Sequence, residues 1–237
     1  MSRKRAGEIY THLYKQPHIN SDTPYKAQIQ VARAIVNILR RSQTAKKILH
    51  VGAGTGQLEK EMLASYVQKQ DKKLLQTSLF CTLDIAKIDR RKLASSKRHQ
   101  IIHVQADGAF LPFKDDGFDI VVSNMAIDFM PGCAIHEMAR VLKNNANFIL
   151  TLHHPIMMQH ILHDISTLKT DLSDKQRIFL RDFICNRMFK SKRSIAKTLL
   201  KHGLICEQIL HKKTNHTFQQ NDHWWFVYGH KYPSIIR

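Results

Sequence analysis

The sequence predicts an α/β protein built on a mostly parallel sheet covered by helices on both faces. Short apolar runs alternate with amphipathic helical segments along most of the chain, and the glycine-rich "VGAGTG" separates the first such run from the helix behind it. Two late strands joined by a polar stretch add an antiparallel pair at one edge. "AQIQVARAIVNILRR" (27–41) puts Val31, Ile35, Ile38 and Leu39 on one face, predicting a leading helix. "KILHV" is strand one, and "LEKEMLASYVQ" behind it spaces Leu58, Met62 and Tyr66 as a helix does. Strands two to four are read at "LFCTLDI" (79–85), "IIHVQAD" (101–107) and "FDIVVSN" (118–124). The helix "AIHEMARVLK" leads through the turn "NNA" into strand five, "NFILTLHH". After Pro155 three helical segments arrive, the first two with no strand between them, which predicts a helical insertion over 156–203 after strand five. "LICEQIL" and "WWFVYGHKY" are the late strands; Trp224 and Trp225 then point opposite ways, one into the core and one towards a pocket or an edge.

The chain has 237 residues, of which 43% are hydrophobic, enough for one substantial core, so residues 1–237 are read as one domain with a helical leader over 1–45. Lys and Arg number 37 against 19 Asp and Glu, a net charge of +18 that favours acidic partners. The four cysteines form no C-x-x-C pair, which argues against a zinc knuckle or a disulfide framework and for reduced thiols. No apolar run reaches the ~18 residues that cross a bilayer. The basic start "MSRKRAGEIYTHLYK" lacks the apolar stretch of a secretory signal, and a cytoplasmic protein with no membrane partner is expected.

Gly52, Gly54 and Gly56 follow a strand and open a helix, the context in which a glycine loop cradles a nucleotide. The spacing is G-x-G-x-G with Gln57 next, which leans away from a dinucleotide, and no G-K-[ST] follows to make a phosphate loop. Together with Asp84 ending strand two, "QADGAFLPFKDDGFDIVVSNMAIDFM" and "RVLKNNANFIL", this loop resembles the class I S-adenosylmethionine-dependent methyltransferases. The resemblance runs from about residue 46 to 155, and more weakly through "SKRSIAKTLLKHGLICEQI". It implies a seven-stranded Rossmann-like sheet, mostly parallel with an antiparallel last strand, and S-adenosyl-L-methionine as cofactor. It also implies that Asp84 holds the ribose hydroxyls and Asp107 the adenine amino group, although either Asp alone reads more readily as a helix cap or turn former. Ala53, Ile85, Gly108, Asn124 and Met125 complete the implied cofactor set with the three loop glycines. His50 stands where the family usually carries a carboxylate that helps hold the cofactor's ammonium, so His50→Asp is expected to tighten cofactor binding or to flatten its pH dependence.

For the methyl acceptor, "SNMA" (123–126) replaces the N-P-P-Y type of tetrapeptide, which disfavours adenine or glutamine N-methylation. Asp128 and His154 are the candidate catalytic residues, with His153 sent to the opposite face from His154. His160 and His163 are spaced i, i+3, but no third ligand is placed beside them, and no metal is assigned. Three functions are read. The first is O-methyl transfer to a small or acyl-carrier-bound acceptor under the 156–203 helices; "AGEIYTHLYKQ", "AQIQVARAIVNIL" and "SNMA" are loosely similar to malonyl carrier-protein O-methyltransferases, and an acidic carrier suits a basic surface. The second is RNA or protein methylation through Lys87, Arg90, Arg91, Lys92, Lys97 and Arg98 and through Lys190, Lys192, Arg193 and Lys197. The third is a non-catalytic binding or assembly protein on the same fold.

Overall fold

A computed structural model describes residues 26–65, 69–88, 100–157, 189–213 and 223–233, with isolated positions at 159, 174, 178, 181 and 186. The start of the leader and nearly all of the expected helical insertion, including His160 and His163, lie outside the described residues.

Helix α1 (Lys26–Ser42) precedes β1 (Lys47–Val51), after which come α2 (Gln57–Ser65), α3 (Lys69–Thr77), β2 (Leu79–Asp84), β3 (Gln100–Gln105) and β4 (Phe118–Asn124). A 3₁₀ turn (Ile127–Phe129) leads to α4 (Cys133–Val141) and β5 (Leu142–His153), followed by α5 (Lys192–Leu200), β6 (Leu204–Lys213) and β7 (His223–Lys231). The seven strands form one sheet in the order β3-β2-β1-β4-β5-β7-β6. The pairs among β1 to β5 are parallel, and β7 runs antiparallel to both neighbours. The chain turns from one side of β1 to the other at β4, and the crevice beyond the carboxyl ends of those strands is where open α/β sheets bind ligands.

Period-two alternation sends the strand residues to two cores. Leu49, Val51, Val121 and Leu150 pack with Ile135 and Met138 of α4 and Ile195 and Leu199 of α5. Ile48, Ile120 and Ile149 pack on the other face with Val31, Ile35 and Leu39 of α1 and Leu58 and Met62 of α2. Burial on both faces explains why these strands read as continuous apolar runs.

Three expectations need correction. Trp224 and Trp225 do point oppositely, but both are buried, one in each core, because β7 is an interior strand with both faces covered. "NNA" is no separate turn but lies inside β5: pairing passes from Phe118↔Leu142 to Ile120↔Asn147, so β5 advances five residues against two on β4. Asn145 takes the left-handed conformation there, with φ +58°. The stretch after α2 carries a further helix, α3, that the apolar pattern did not predict; it docks mainly through fully buried Leu75.

Candidate active site

The glycine loop leaves β1 with Gly52, Gly54 and Gly56 at φ +74°, +54° and +77°, conformations that L-residues with a Cβ rarely adopt. A Cβ on Gly52 would lie 2.4 Å from the Ala126 Cβ, so only glycine lets the loop pass this close to the turn after β4. The N–H groups of Gly52 and Ala53 both donate to the Leu83 carbonyl, at 2.8 and 3.0 Å, pinning the loop to the end of β2. Asp84 ties the arrangement together: Oδ2 accepts from Gly54 N–H at 2.8 Å and Oδ1 from Ala86 N–H at 2.9 Å, next to Ile85. Each carboxylate oxygen retains acceptor capacity beyond one such bond. Asp107, just past β3, accepts from Ala109 N–H at 2.9 Å across Gly108. The two acids thus end neighbouring strands, bridged by the Ala106 N–H donating to the Asp84 carbonyl at 3.0 Å.

Across the switch point, Met125 holds φ +52°. A non-glycine residue there costs of order 1–3 kcal/mol and persists only where its surroundings hold it. Thr151 of β5 supplies that hold: its hydroxyl donates to Asn124 Oδ1 at 2.6 Å and accepts from Met125 N–H at 3.0 Å.

His50 lies in β1 facing α2, and its Nδ1 is 2.9 Å from Oε1 of Glu59 in the first turn of that helix. Both side chains are almost wholly buried, at 4% and 3% exposed. The other nitrogen of His50, Nε2, and the other oxygen of Glu59, Oε2, have no hydrogen-bond partner among the described residues. Buried polar atoms without partners are costly, and such a pair at the mouth of a ligand loop fits a ligand that carries its own donors. Glu59 thus sets a buried carboxylate beside position 50, delivered from the helix instead of the strand. Sequence reading passed over it; its only signal was an acid in the first turn of the helix that follows the loop.

The loop that runs on from Asp107 is clamped by α4. Arg140 donates to the Leu111 and Phe113 carbonyls at 3.0 and 2.8 Å, to Asp115 at 2.7 Å, and to both oxygens of Glu137 at 2.7 and 2.8 Å. Glu137 in turn accepts from Leu111 N–H at 2.8 Å. Hydrogen bonding to Arg140 holds the Glu137 carboxyl below the ordinary carboxylate range, against a smaller opposing effect of burial.

Residues 49–150 match the model of a family described as a methyltransferase domain. Over these residues the chain is similar to methyltransferase domains. Solved structures share the domain's fold. A Methanosarcina mazei S-adenosylmethionine-dependent methyltransferase superposes with a TM-score of 0.54 at 15% identity, over 79% of this chain and 93% of its own. The 1,6-didemethyltoxoflavin N1-methyltransferase of Burkholderia thailandensis, solved with that substrate and S-adenosylhomocysteine, reaches 0.60 at 11% identity over 98% and 88%. The Synechocystis magnesium protoporphyrin IX methyltransferase, bound to S-adenosylhomocysteine, reaches 0.50 at 16% over 85% and 83%. No curated protein sequence matches the chain.

Asp128 falls within the 3₁₀ turn after β4, and its side chain lies outside the described residues. The two strand-end histidines part as alternation requires. His153 is buried edge-on against Phe129 of that turn, with ring centres 5.2 Å apart. His154 turns away from the turn towards β6 and β7, where its ring stacks on His211 at 4.1 Å and meets Trp225 at 4.5 Å. Burial, with the nearby His211 and His223 rings, lowers its pKa to about 4. A histidine so weakly basic is a poor proton acceptor at neutral pH. Cys81, Cys133 and Cys206 are free thiols, and burial raises Cys81 and Cys206 to about 11, well away from the reactive thiolate range. Among the described residues, no helix is long and apolar enough to cross a membrane.

Proposed function

We propose that the protein transfers a methyl group from S-adenosylmethionine to an oxygen of a small or carrier-bound acidic acceptor. The observation that carries this reading is the convergence, at the β1/β4 switch point, of a positive-φ glycine loop, the two strand-end acids Asp84 and Asp107, and the buried, unpartnered Oε2 of Glu59. Bound there, the cofactor supplies an electrophilic methyl group on a sulfonium. Gly52, Ala53, Gly54 and Gly56 bring backbone close to it. Asp84, beside Ile85, accepts from the ribose hydroxyls, and Asp107, beside Gly108, from the adenine amino group. His50 and Glu59 face its ammonium, while Asn124 and Met125 form the wall towards the acceptor. In-line displacement asks the protein chiefly to position the acceptor and exclude water. An acid acceptor is already ionised at neutral pH and needs no strong base, which agrees with the depressed pKa of His154. Asp128 is the residue assigned to orient it, and the +18 charge attracts it. The 156–203 helices are the segment that would cover it, within a single domain in the cytoplasm.

Calorimetry with S-adenosylmethionine tests the first half of the proposal: saturable binding is expected, and none up to millimolar ligand would overturn it. Turnover of carboxyl-bearing small molecules and acyl carriers tests the second; methyl transfer only to RNA or to a protein side chain would replace it. That alternative rests on the exposed cations Lys190, Lys192 and Arg193 at the start of α5, where no acid sits in the first turn, and on exposed Lys197 in its last turn.

A further inference from the structure

Three histidines far apart in the chain meet at the carboxyl rim of the sheet. His154 follows the last residue of β5, His211 lies near the end of β6, and His223 begins β7. The topology brings them together, since β7 runs antiparallel between β5 and β6 and so starts where both of them end. His154 N–H donates to the His223 carbonyl at 3.3 Å. In the β6–β7 register His223 pairs with Lys213 and His211 with Trp225, so His211 and His223 share a face as diagonal neighbours. One ring nitrogen from each of the three lies within 4.8 Å of the others, and His211 Nε2 is 2.9 Å from His223 Nδ1.

We propose that His154, His211 and His223 form a three-imidazole site for a divalent transition-metal ion of the Zn²⁺ type. Three protonated imidazoles at this spacing would repel one another, and three neutral ones can share few protons; a cation that accepts their lone pairs answers both difficulties. Zn–N bonds of about 2.0–2.1 Å in a tetrahedral site put ligand nitrogens roughly 3.3 Å apart, so side-chain rotation can close the present spacing without moving the strands. That rotation is required: His154 and His211 are stacked with their planes 16° apart, whereas a metal lies in the plane of each ring it binds. His154 must also give up its long 3.3 Å contact, in which Nδ1 accepts from Ile156 N–H. An uncharged all-nitrogen donor set selects Zn²⁺, Co²⁺ or Ni²⁺ over Mg²⁺ or Ca²⁺. The indole of Trp225, 4.5 Å from His154 and 5.4 Å from His211, walls one side with apolar surface. His211 is exposed, so the ion has a path in from solvent, and three protein ligands leave the fourth position open.

The test uses the full chain, stripped with a chelator, dialysed, and titrated with ZnCl₂ by calorimetry and with CoCl₂ by visible absorption. One equivalent of Zn²⁺ is expected, with the d–d bands of four- or five-coordinate Co²⁺ and a metal-dependent rise in melting temperature. Even partners outside the ligand shell cost about 10–100-fold in metal affinity, so His211→Ala and His223→Ala should each weaken binding by at least about tenfold, and together abolish the equivalent. The exposed His211→Ala alone keeps the test valid if the double variant does not fold. No saturable binding by the wild type, or an equivalent that survives His211→Ala at unchanged affinity, overturns the site. Either result leaves the assignment of the cofactor loop untouched, because S-adenosylmethionine binding is measured separately on the same protein.

Discussion

His50 shows how far one residue can be read without its neighbours. From the sequence it is a missing carboxylate, and restoring one with His50→Asp is expected to help cofactor binding. Its contact with buried Glu59 reverses that expectation, because an aspartate at this position would set two carboxylates against each other where water cannot screen them. His50→Asp should therefore lower stability by on the order of 3 kcal/mol in urea unfolding, with no gain in S-adenosylhomocysteine affinity by calorimetry. Removing the second charge in His50→Asp/Glu59→Gln should recover part of that loss. Glu59→Gln alone should keep the fold and weaken the cofactor, since it removes the carboxylate from the ammonium's path. An increase in affinity for His50→Asp would show that the Glu59 carboxylate does not face the ligand. The glycine loop after β1 and the strand-end placement of Asp84 and Asp107 were legible because each belongs to a local pattern. Glu59 was not, because its partner is chosen by how α2 folds back over β1.

At the scale of elements, the five parallel strands, α1 and the late antiparallel pair were legible from apolar runs, whose periodicity survives wherever an element buries a face. What escaped was decided between elements. The three-residue excess in β5 is visible only against its partner β4, and α3 carries too few apolar residues to display a period. Gly229 of β7 is another such case: a Cβ there would lie 1.9 Å from the Ile205 carbonyl oxygen of β6 and 2.8 Å from the Phe148 ring. Backbone in an adjacent paired strand cannot yield as a side-chain tip can, so Gly229→Ala should cost about 2–3 kcal/mol in chemical denaturation. The α4 clamp makes a prediction that depends on pH. Arg140→Met removes the donors that hold Leu111 and Phe113, and hydrogen bonds to charged groups are worth about 1.5–3 kcal/mol each. The Glu137 carboxyl is depressed in the folded state, so the stability it gains from Arg140 is complete above its ordinary value of 4.5 and is lost as pH falls through the lower folded value. The stability difference between wild type and Arg140→Met should be flat from about pH 7 to 5 and shrink below 4.5. A difference that persists unchanged at about pH 3 would mean that the bonds to the Leu111 and Phe113 carbonyls and the packing of the arginine stem, and not the pairing with Glu137, support the loop.

For the whole molecule, the net charge of +18 says that the protein attracts anions but not which kind, and its distribution is what divides the two acceptor readings. Part of the basic sequence at 87–98 lies outside the described residues, whereas Lys192, Arg193 and Lys197 of α5 are exposed and described. Lys192 and Arg193 lie in the first turn of the helix, where its dipole already favours anions, and Lys197 lies in the last turn. Lys192→Glu/Arg193→Glu/Lys197→Glu should leave S-adenosylhomocysteine affinity unchanged, because the glycine loop and strand-end acids are built from other elements. Its effect on partners separates the readings through salt. Each phosphate contact on single-stranded nucleic acid contributes about 0.7 to the slope of log affinity against log salt, so three lost contacts would flatten that slope by about 2. A small acidic acceptor held inside the site meets none of these side chains, and its turnover should be the same in the variant at every salt concentration. An acyl carrier, which docks on the surface, should lose affinity at low salt and keep its maximal rate once saturated, since the loss is of encounter and not of chemistry. A flattened slope for RNA accompanied by lost methyl transfer would move the acceptor from a carried acid to nucleic acid, while leaving the donor site as assigned.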